Sequence, residues 1–189
     1  MAVSPLAATR SIRSGAESVI HEAGIGLGSN QGQSLEILQT AWERLQKHPS
    51  IHPVALSAPY RSQPVEMVSA NWFVNAAALV QTTLAPYDLL LELQAIETSC
   101  GRIRPVQANG YQDRTLDLDL LFYDEVIFDA DDLSIPHPRM HQRLFVLEPL
   151  AEIAGDRIHP LRGKQMQELL FDLKKINNNQ IVERMLWPG

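Results

Sequence analysis

Cysteine is nearly absent: Cys100 stands alone, which excludes an intrachain disulfide and a zinc site built from cysteines and fits a reducing compartment. Positive charge is also short. Sixteen Lys and Arg face 22 Asp and Glu, and the formal charge of −6 supplies no general attraction to nucleic acid or anionic lipid. A polyanionic ligand would have to be met by a local cluster of cations. No apolar run reaches the roughly 20 residues that a membrane-spanning helix requires, so no membrane association is expected. Gly24, Gly26 and Gly28 invite comparison with a dinucleotide-binding loop, yet they sit in a strand-like run with no lysine after it. Neither a Rossmann fingerprint nor a Walker A loop is present.

What is present suits one ordinary domain. The chain has 189 residues, 45% of them hydrophobic and 20% charged, enough to build a single core and little more. Residues 1–20 carry Arg10 and Arg13 among Ser and Ala, with Glu17 and no apolar stretch of the kind a secretory signal needs. They read as a disordered extension in front of a single domain over 21–189. An organelle transit segment is the alternative, and the cytoplasm is otherwise the expected location.

Periodicity supplies the elements. Residues 23–28 alternate Ile25 and Leu27 with small residues and run into the turn at 29–32. Leu38, Trp42 and Leu45 fall at helical spacing, with Ser34 available as a cap and His48-Pro49 as a stop. A strand is expected over 51–59, a loop over 60–70 and a strand over 72–82. Pro86 can open a helix whose stripe is Leu89, Leu90, Leu93 and Ile96, with Gly101 ending it. After a polar stretch at 107–113, residues 115–123 alternate as a strand, 126–128 form a short extended piece, and 145–153 and 164–173 look helical. The order βαββαβ is that of an α+β fold, a ferredoxin-like split β-α-β sandwich whose antiparallel sheet carries helices on one face, followed by a C-terminal extension.

The sharpest local feature is Arg114-Thr115-Leu116-Asp117-Leu118-Asp119-Leu120. On a strand, Asp117 and Asp119 share one face while Leu116, Leu118 and Leu120 share the other. Two carboxylates one strand repeat apart repel each other unless a cation lies beside them, and magnesium with phosphate oxygens is the natural candidate. A solvated strand face would give the same pattern. Arg102, Arg104 and Arg114 precede the pair, and His137, Arg139, His141 and Arg143 follow it. Planar guanidinium groups suit phosphate oxygens, although surface salt bridges would produce the same run. Phe73 and Asn75 share a strand face as well, which could read a flat heterocycle by stacking and amide hydrogen bonds, or could simply be core.

Taken in order, these pieces resemble the 6-hydroxymethyl-7,8-dihydropterin pyrophosphokinase family across about 24–160. The matching segments are Gly26-Leu27-Gly28-Ser29-Asn30, Tyr60-Arg61-Ser62, Phe73-Val74-Asn75-Ala76-Ala77, Ile96-Glu97 with Gly101-Arg102, the Arg114–Asp119 run, Pro136-His137-Pro138-Arg139-Met140 and Arg143-Leu144-Phe145. The resemblance implies transfer of the β- and γ-phosphates of ATP together to the hydroxymethyl group of the dihydropterin, with release of AMP and use of two magnesium ions. It assigns both ions to Asp117 and Asp119, and catalytic roles to these carboxylates and to Arg102 and Arg114. It carries Gln94, Glu97, Arg102, Arg114, His137 and Arg143 to the nucleotide. Ser62, Val65, Phe73, Asn75 and Phe145 go to the pterin, whose ring would lie between Phe73 and Phe145. A monomer is expected, with dihydropteroate synthase as the pathway neighbour.

Departures from the family lie mainly before the metal-bearing strand. Pro105 replaces a common basic residue, Gln112-Asp113 replaces a Gly-Pro pair, and Glu66 stands where glycine is frequent. These bear on loop closure more than on reaction class. Rival readings are a nucleic-acid-binding sheet, a two-metal nuclease or phosphatase, and a catalytically silent pterin- and ATP-binding relative. The first lacks a basic surface, and the second would need further metal ligands.

Overall fold

The computed structural model describes residues 19–65, 69–103, 112–176 and 179–188. The expectations for residues 1–18, Glu66, Arg104 and Pro105, and for 107–111 of the polar stretch, fall outside the described residues.

The central strand β1 (His21–Ser29) owes its place to a two-sided sequence. Ala23, Ile25 and Leu27 are buried on one face, and on the other Gly24, Gly26 and Gly28 leave room for neighbours. A Cβ on Gly24 would lie 2.3 Å from the Phe122 ring, so only glycine permits that approach. Helix α1 (Ser34–Lys47) buries Leu38, Ala41 and Leu45, while Trp42 packs at the margin of the core. Gln33, not Ser34, occupies its N-cap, and the Ser34 hydroxyl instead accepts a hydrogen bond from Ser29 at 3.0 Å. Strands β2 (Ile51–Leu56), β3 (Tyr60–Ser62) and β4 (Phe73–Thr82) follow. Helix α2 (Pro86–Ser99) starts on Pro86 and buries Leu89, Leu93 and Ile96 at the expected spacing.

The sheet is antiparallel throughout, in the order β5-β1-β4-β3-β8, with β2 also on β4; β5 is Asp117–Tyr123 and β8 is Val182–Arg184. Strands β5, β1, β4 and β2 give the split β-α-β order that the sequence predicts. Strand β3 lies within the stretch read as a loop. Pro64 and the few periodic apolar residues around it concealed a three-residue strand that pairs Tyr60 with Asn75 and Ser62 with Phe73. A small hairpin of β6 (Phe128–Asp129) and β7 (Ser134–Ile135) stands apart from the main sheet.

Both faces of the sheet are covered. Helices α1 and α2 pack on the face of Ile25, Ala78, Leu118 and Leu120. Helices α3 (Leu144–Ala154) and α4 (Met166–Ile176) close part of the other face, where Leu147, Leu150, Met166 and Leu169 meet Ala77, Leu121 and Phe122. The expectation of two helices on one face thus holds for α1 and α2, and α3 and α4 add a further layer. Trp187 packs against the edge of the first core.

Candidate active site

The helices of the second layer leave uncovered the end of the sheet where β1 finishes and β4 and β5 begin. Cross-strand register builds the floor there. Gly28 lies between Asn75 and Asp117, and Gly26 lies between Ala77 and Asp119. Paired residues share a face, so the two carboxylates and the amide project together over a bare glycine strip. Above this floor is a cavity of about 320 Å³. Its walls include every residue that the resemblance assigns to the site, Ser62, Val65, Phe73, Asn75, Gln94, Glu97, Arg102, Arg114, Asp117, Asp119, His137, Arg143 and Phe145, and Arg139 as well, whereas His141 lies outside it.

Arg102 reaches the cavity through a helix ending. Gly101, at φ 86°, lets α2 close with the Gly101 amide donating to the Thr98 carbonyl at 3.0 Å and the Arg102 amide to the Glu97 carbonyl at 3.1 Å. This Schellman closure turns the chain back so that the Arg102 guanidinium donates to Glu97 Oε1 at 2.5 Å, to the Leu116 carbonyl at 3.0 Å, and to Asp117 Oδ1. Glu97 is buried, and its Oε1 also accepts the Leu118 amide at 2.8 Å, which ties α2 to the metal-candidate strand. A buried charge of this kind is tolerable because it is paired and hydrogen-bonded.

Arg114 approaches from the opposite side. Its Nη1 donates to Asp117 Oδ2 at 2.6 Å, and its backbone is held by Asn30, whose Oδ1 accepts the Arg114 amide at 2.8 Å. Asn30 in turn donates to Asp113 at 2.6 Å, and Asp113 also accepts from Ser69 at 2.7 Å and Asn71 at 2.8 Å. Asp119 is half-buried, and desolvation together with the neighbouring Asp117 charge pushes its carboxyl well above the ordinary range. His137 is driven down to about 4 by burial and by Arg143 and Arg139, so it is a neutral imidazole at pH 7. Its Nδ1 accepts the Arg139 amide at 3.2 Å.

At the other end of the cavity the Asn75 amide donates to Ser62 Oγ at 2.9 Å. The Arg143 guanidinium lies 5.5 Å from the Phe145 ring centroid and the Arg114 guanidinium 5.9 Å from that of Phe73. Sequence reasoning missed Gln63, Leu121 and Val146 in the lining, and it saw Gly26 and Gly28 only as strand residues rather than as the floor. The register of β1 against β4 and β5, which no single segment reveals, gives those glycines their place.

A ferredoxin-like sheet that opens paired carboxylates, arginines and a neutral histidine onto one cavity defines an enzyme of phosphoryl-group transfer. Comparison with known proteins makes the assignment particular. The model of the family 7,8-dihydro-6-hydroxymethylpterin-pyrophosphokinase (HPPK) matches residues 24–155, and the chain belongs to that family. The 2-amino-4-hydroxy-6-hydroxymethyldihydropteridine pyrophosphokinase of Pseudomonas aeruginosa is 40% identical over 152 residues, covering 80% of this chain and 91% of its own. The corresponding protein of Haemophilus influenzae is 41% identical over 136 residues, covering 72% and 83%. The folic acid synthesis protein fol1 of Pneumocystis carinii is 40% identical over 139 residues, which cover 74% of this chain but 18% of that longer protein. Among solved structures, the wild-type HPPK-DHPS of Plasmodium falciparum superposes with a TM-score of 0.67 at 15% identity, covering 88% of this chain and 45% of that one. That likeness speaks for the fold.

Proposed function

We propose that in this ATP-dependent 6-hydroxymethyl-7,8-dihydropterin pyrophosphokinase Asp117 and Asp119 hold two magnesium ions, with arginines 102, 114 and 143 and His137 on the phosphate chain. The enzyme transfers the pyrophosphoryl group of ATP to the hydroxymethyl oxygen of the dihydropterin and releases AMP. The observation that carries the residue assignment is the pairing of Gly28 and Gly26 with the two carboxylates, which puts both acids side by side on the floor of the cavity.

The donor set fits magnesium. Among the described residues no three or more His, Cys, Asp or Glu are grouped closely enough to hold a metal by themselves. Magnesium commonly takes one or two carboxylates and completes its octahedron with water and substrate phosphates. Asp119, half-buried beside Asp117, has a raised affinity for a proton that a cation would relieve. Bound magnesium would neutralise and orient the phosphate oxygens.

The protein residues then divide the remaining work. The Asn75 amide, set by Ser62, hydrogen-bonds the pterin edge, and Phe73 and Phe145 flank its ring. Gln94 and Glu97 lie on the nucleotide side. A second cavity of about 260 Å³ adjoins the first through Leu90, Leu118, Asp119 and His137, and has room for the base of the nucleotide. Arg102 and Arg114, fixed on Asp117, are already oriented when phosphate arrives, so they stabilise charge redistributed during in-line attack without reorganising. The diphosphorylated product is the substrate for dihydropteroate synthase, and this pathway link is supported by relatives in which HPPK and DHPS share one chain.

Replacing Asp117 or Asp119 with Asn keeps the side-chain shape and removes the charge. Each variant, folded as judged by circular dichroism, should lose at least about a hundredfold in turnover, the scale of removing an electrostatic stabiliser. Each should also need more magnesium for half-maximal rate. Variants with unchanged turnover and magnesium dependence would contradict the ligand assignment.

A further inference from the structure

The segment 179–188 lies behind β3 and the start of α3, the elements that carry Ser62 and Phe145 at the pterin end of the cavity, and the chemistry derived above uses none of it. Two of its fixed points act on elements that carry walls of that end, and a third anchors the segment on the core. Helix α3 begins at Leu144, and its N-cap residue Arg143 makes no side-chain capping hydrogen bond. The first amides of a helix have no partner within it. Here Gln180 Oε1 accepts the Leu144 amide at 3.2 Å, so a side chain distant in sequence caps the turn that presents Arg143 and Phe145.

The same segment then becomes β8, which pairs Val182 with Ser62, while the Gln63 amide donates to the Ile181 carbonyl at 3.4 Å. Strand β3 is only three residues long, and a strand so short holds its register weakly when one edge is open. Strand β8 closes that edge. Glu152 of α3 locks the assembly, accepting from Tyr60 of β3 at 2.8 Å and from Arg184 of β8 at 3.1 Å. Trp187 anchors the far end, its indole N–H donating to the Ser57 carbonyl at 2.9 Å and its ring packing on the core.

We propose that Gln180 and Trp187 are positioning residues for the pterin. Through the Leu144 amide and the β3 edge they hold the Phe145 wall against the Ser62 and Asn75 wall at the spacing a flat ring requires. This rests on the pyrophosphokinase reading. The ion pairs of Arg102 and Arg114 with Asp117 and Glu97 bind the other end of the cavity together without the segment. Loosening it therefore raises the ordering cost of pterin binding while leaving the nucleotide end intact.

The test compares Gln180→Leu, Gln180→Glu and Trp187→Phe with the unaltered chain. Gln180→Leu removes the acceptor, Gln180→Glu keeps one, and Trp187→Phe keeps a ring without its donor. For each folded protein, KM for both substrates and kcat are measured, together with the Kd of 6-hydroxymethylpterin in the presence of magnesium and a nonhydrolysable ATP analogue. Losing one hydrogen bond worth about 1 kcal/mol should raise the pterin KM and Kd roughly fivefold in Gln180→Leu and Trp187→Phe. The KM for ATP should stay within about twofold, and Gln180→Glu should restore pterin binding. Unchanged pterin constants, or parallel changes in both substrates with a lowered melting temperature alone, would overturn the proposal in favour of a purely structural segment. If the unaltered chain binds the pterin without turnover, the Kd comparison still decides the positioning role and only the catalytic reading fails. If it binds no pterin, both fall.

Discussion

Asp119, the proposed magnesium ligand, opposes the fold through its own charge. Burial and the Asp117 charge raise its carboxyl in the folded protein above the unfolded value, so folding disfavours the ionised form. A raised acid is neutral and harmless below its unfolded pKa, and it costs stability as pH climbs from there through the folded pKa. Asp119→Asn removes that cost. The metal-free variant should melt above the unaltered protein at pH 8, with the difference vanishing near pH 4, while its turnover collapses. Thermal melts in chelator at both pH values check this, and a lower melting temperature at pH 8 would contradict it. The sequence alone made the two carboxylates legible, because strict alternation with Leu116, Leu118 and Leu120 fixes which residues share a face. It did not show that Asp117 would be held between two arginines, since Arg102 arrives through a helix ending and Arg114 through the Asn30 side chain.

At the scale of elements, periodicity located β1, α1, β4, α2 and β5 because each is long enough to show its period and buries a regular stripe. Strands β3 and β8 escaped because three residues cannot display alternation, and each exists only by pairing with a strand distant in sequence. The Gly101 stop was visible in the sequence, whereas its use in aiming Arg102 was not. Gly101 and Gly163 both have positive φ, 86° and 62°, and a Cβ on either would meet nothing within 4 Å, so they form a matched pair. Valine at each position should cost about 1–3 kcal/mol of stability through backbone strain. Gly101→Val should in addition lower kcat at least about tenfold, a barrier change of roughly 1.4 kcal/mol, by displacing Arg102. Gly163→Val should leave kcat per folded molecule unchanged. Denaturant titration and steady-state rates on both variants check this, and equal kcat values would remove the helix closure from the account.

For the whole molecule, the sheet joins two binding ends across a floor of glycines. Asn75 and Ser62 stand at one end, and Asp117, Asp119 and the arginines at the other, with β1 between them. On the proposed reading, that plan lets a chain of net charge −6 bind a polyanion, because Arg102, Arg114, Arg139 and Arg143 are gathered at one cavity. Among the described residues no helix is long and apolar enough to cross a membrane. The order of the matching segments was the legible sign of this plan, and the cross-strand register that makes them one site required the structure. The central claim is that the chain moves two phosphates at once. Incubating it with magnesium, 6-hydroxymethyl-7,8-dihydropterin and ATP labelled separately at the β and γ positions tests this directly. Both labels should appear in the pterin product in equal amounts, with one AMP released per pterin consumed. Transfer of the γ label alone, with ADP as the nucleotide product, would contradict the account.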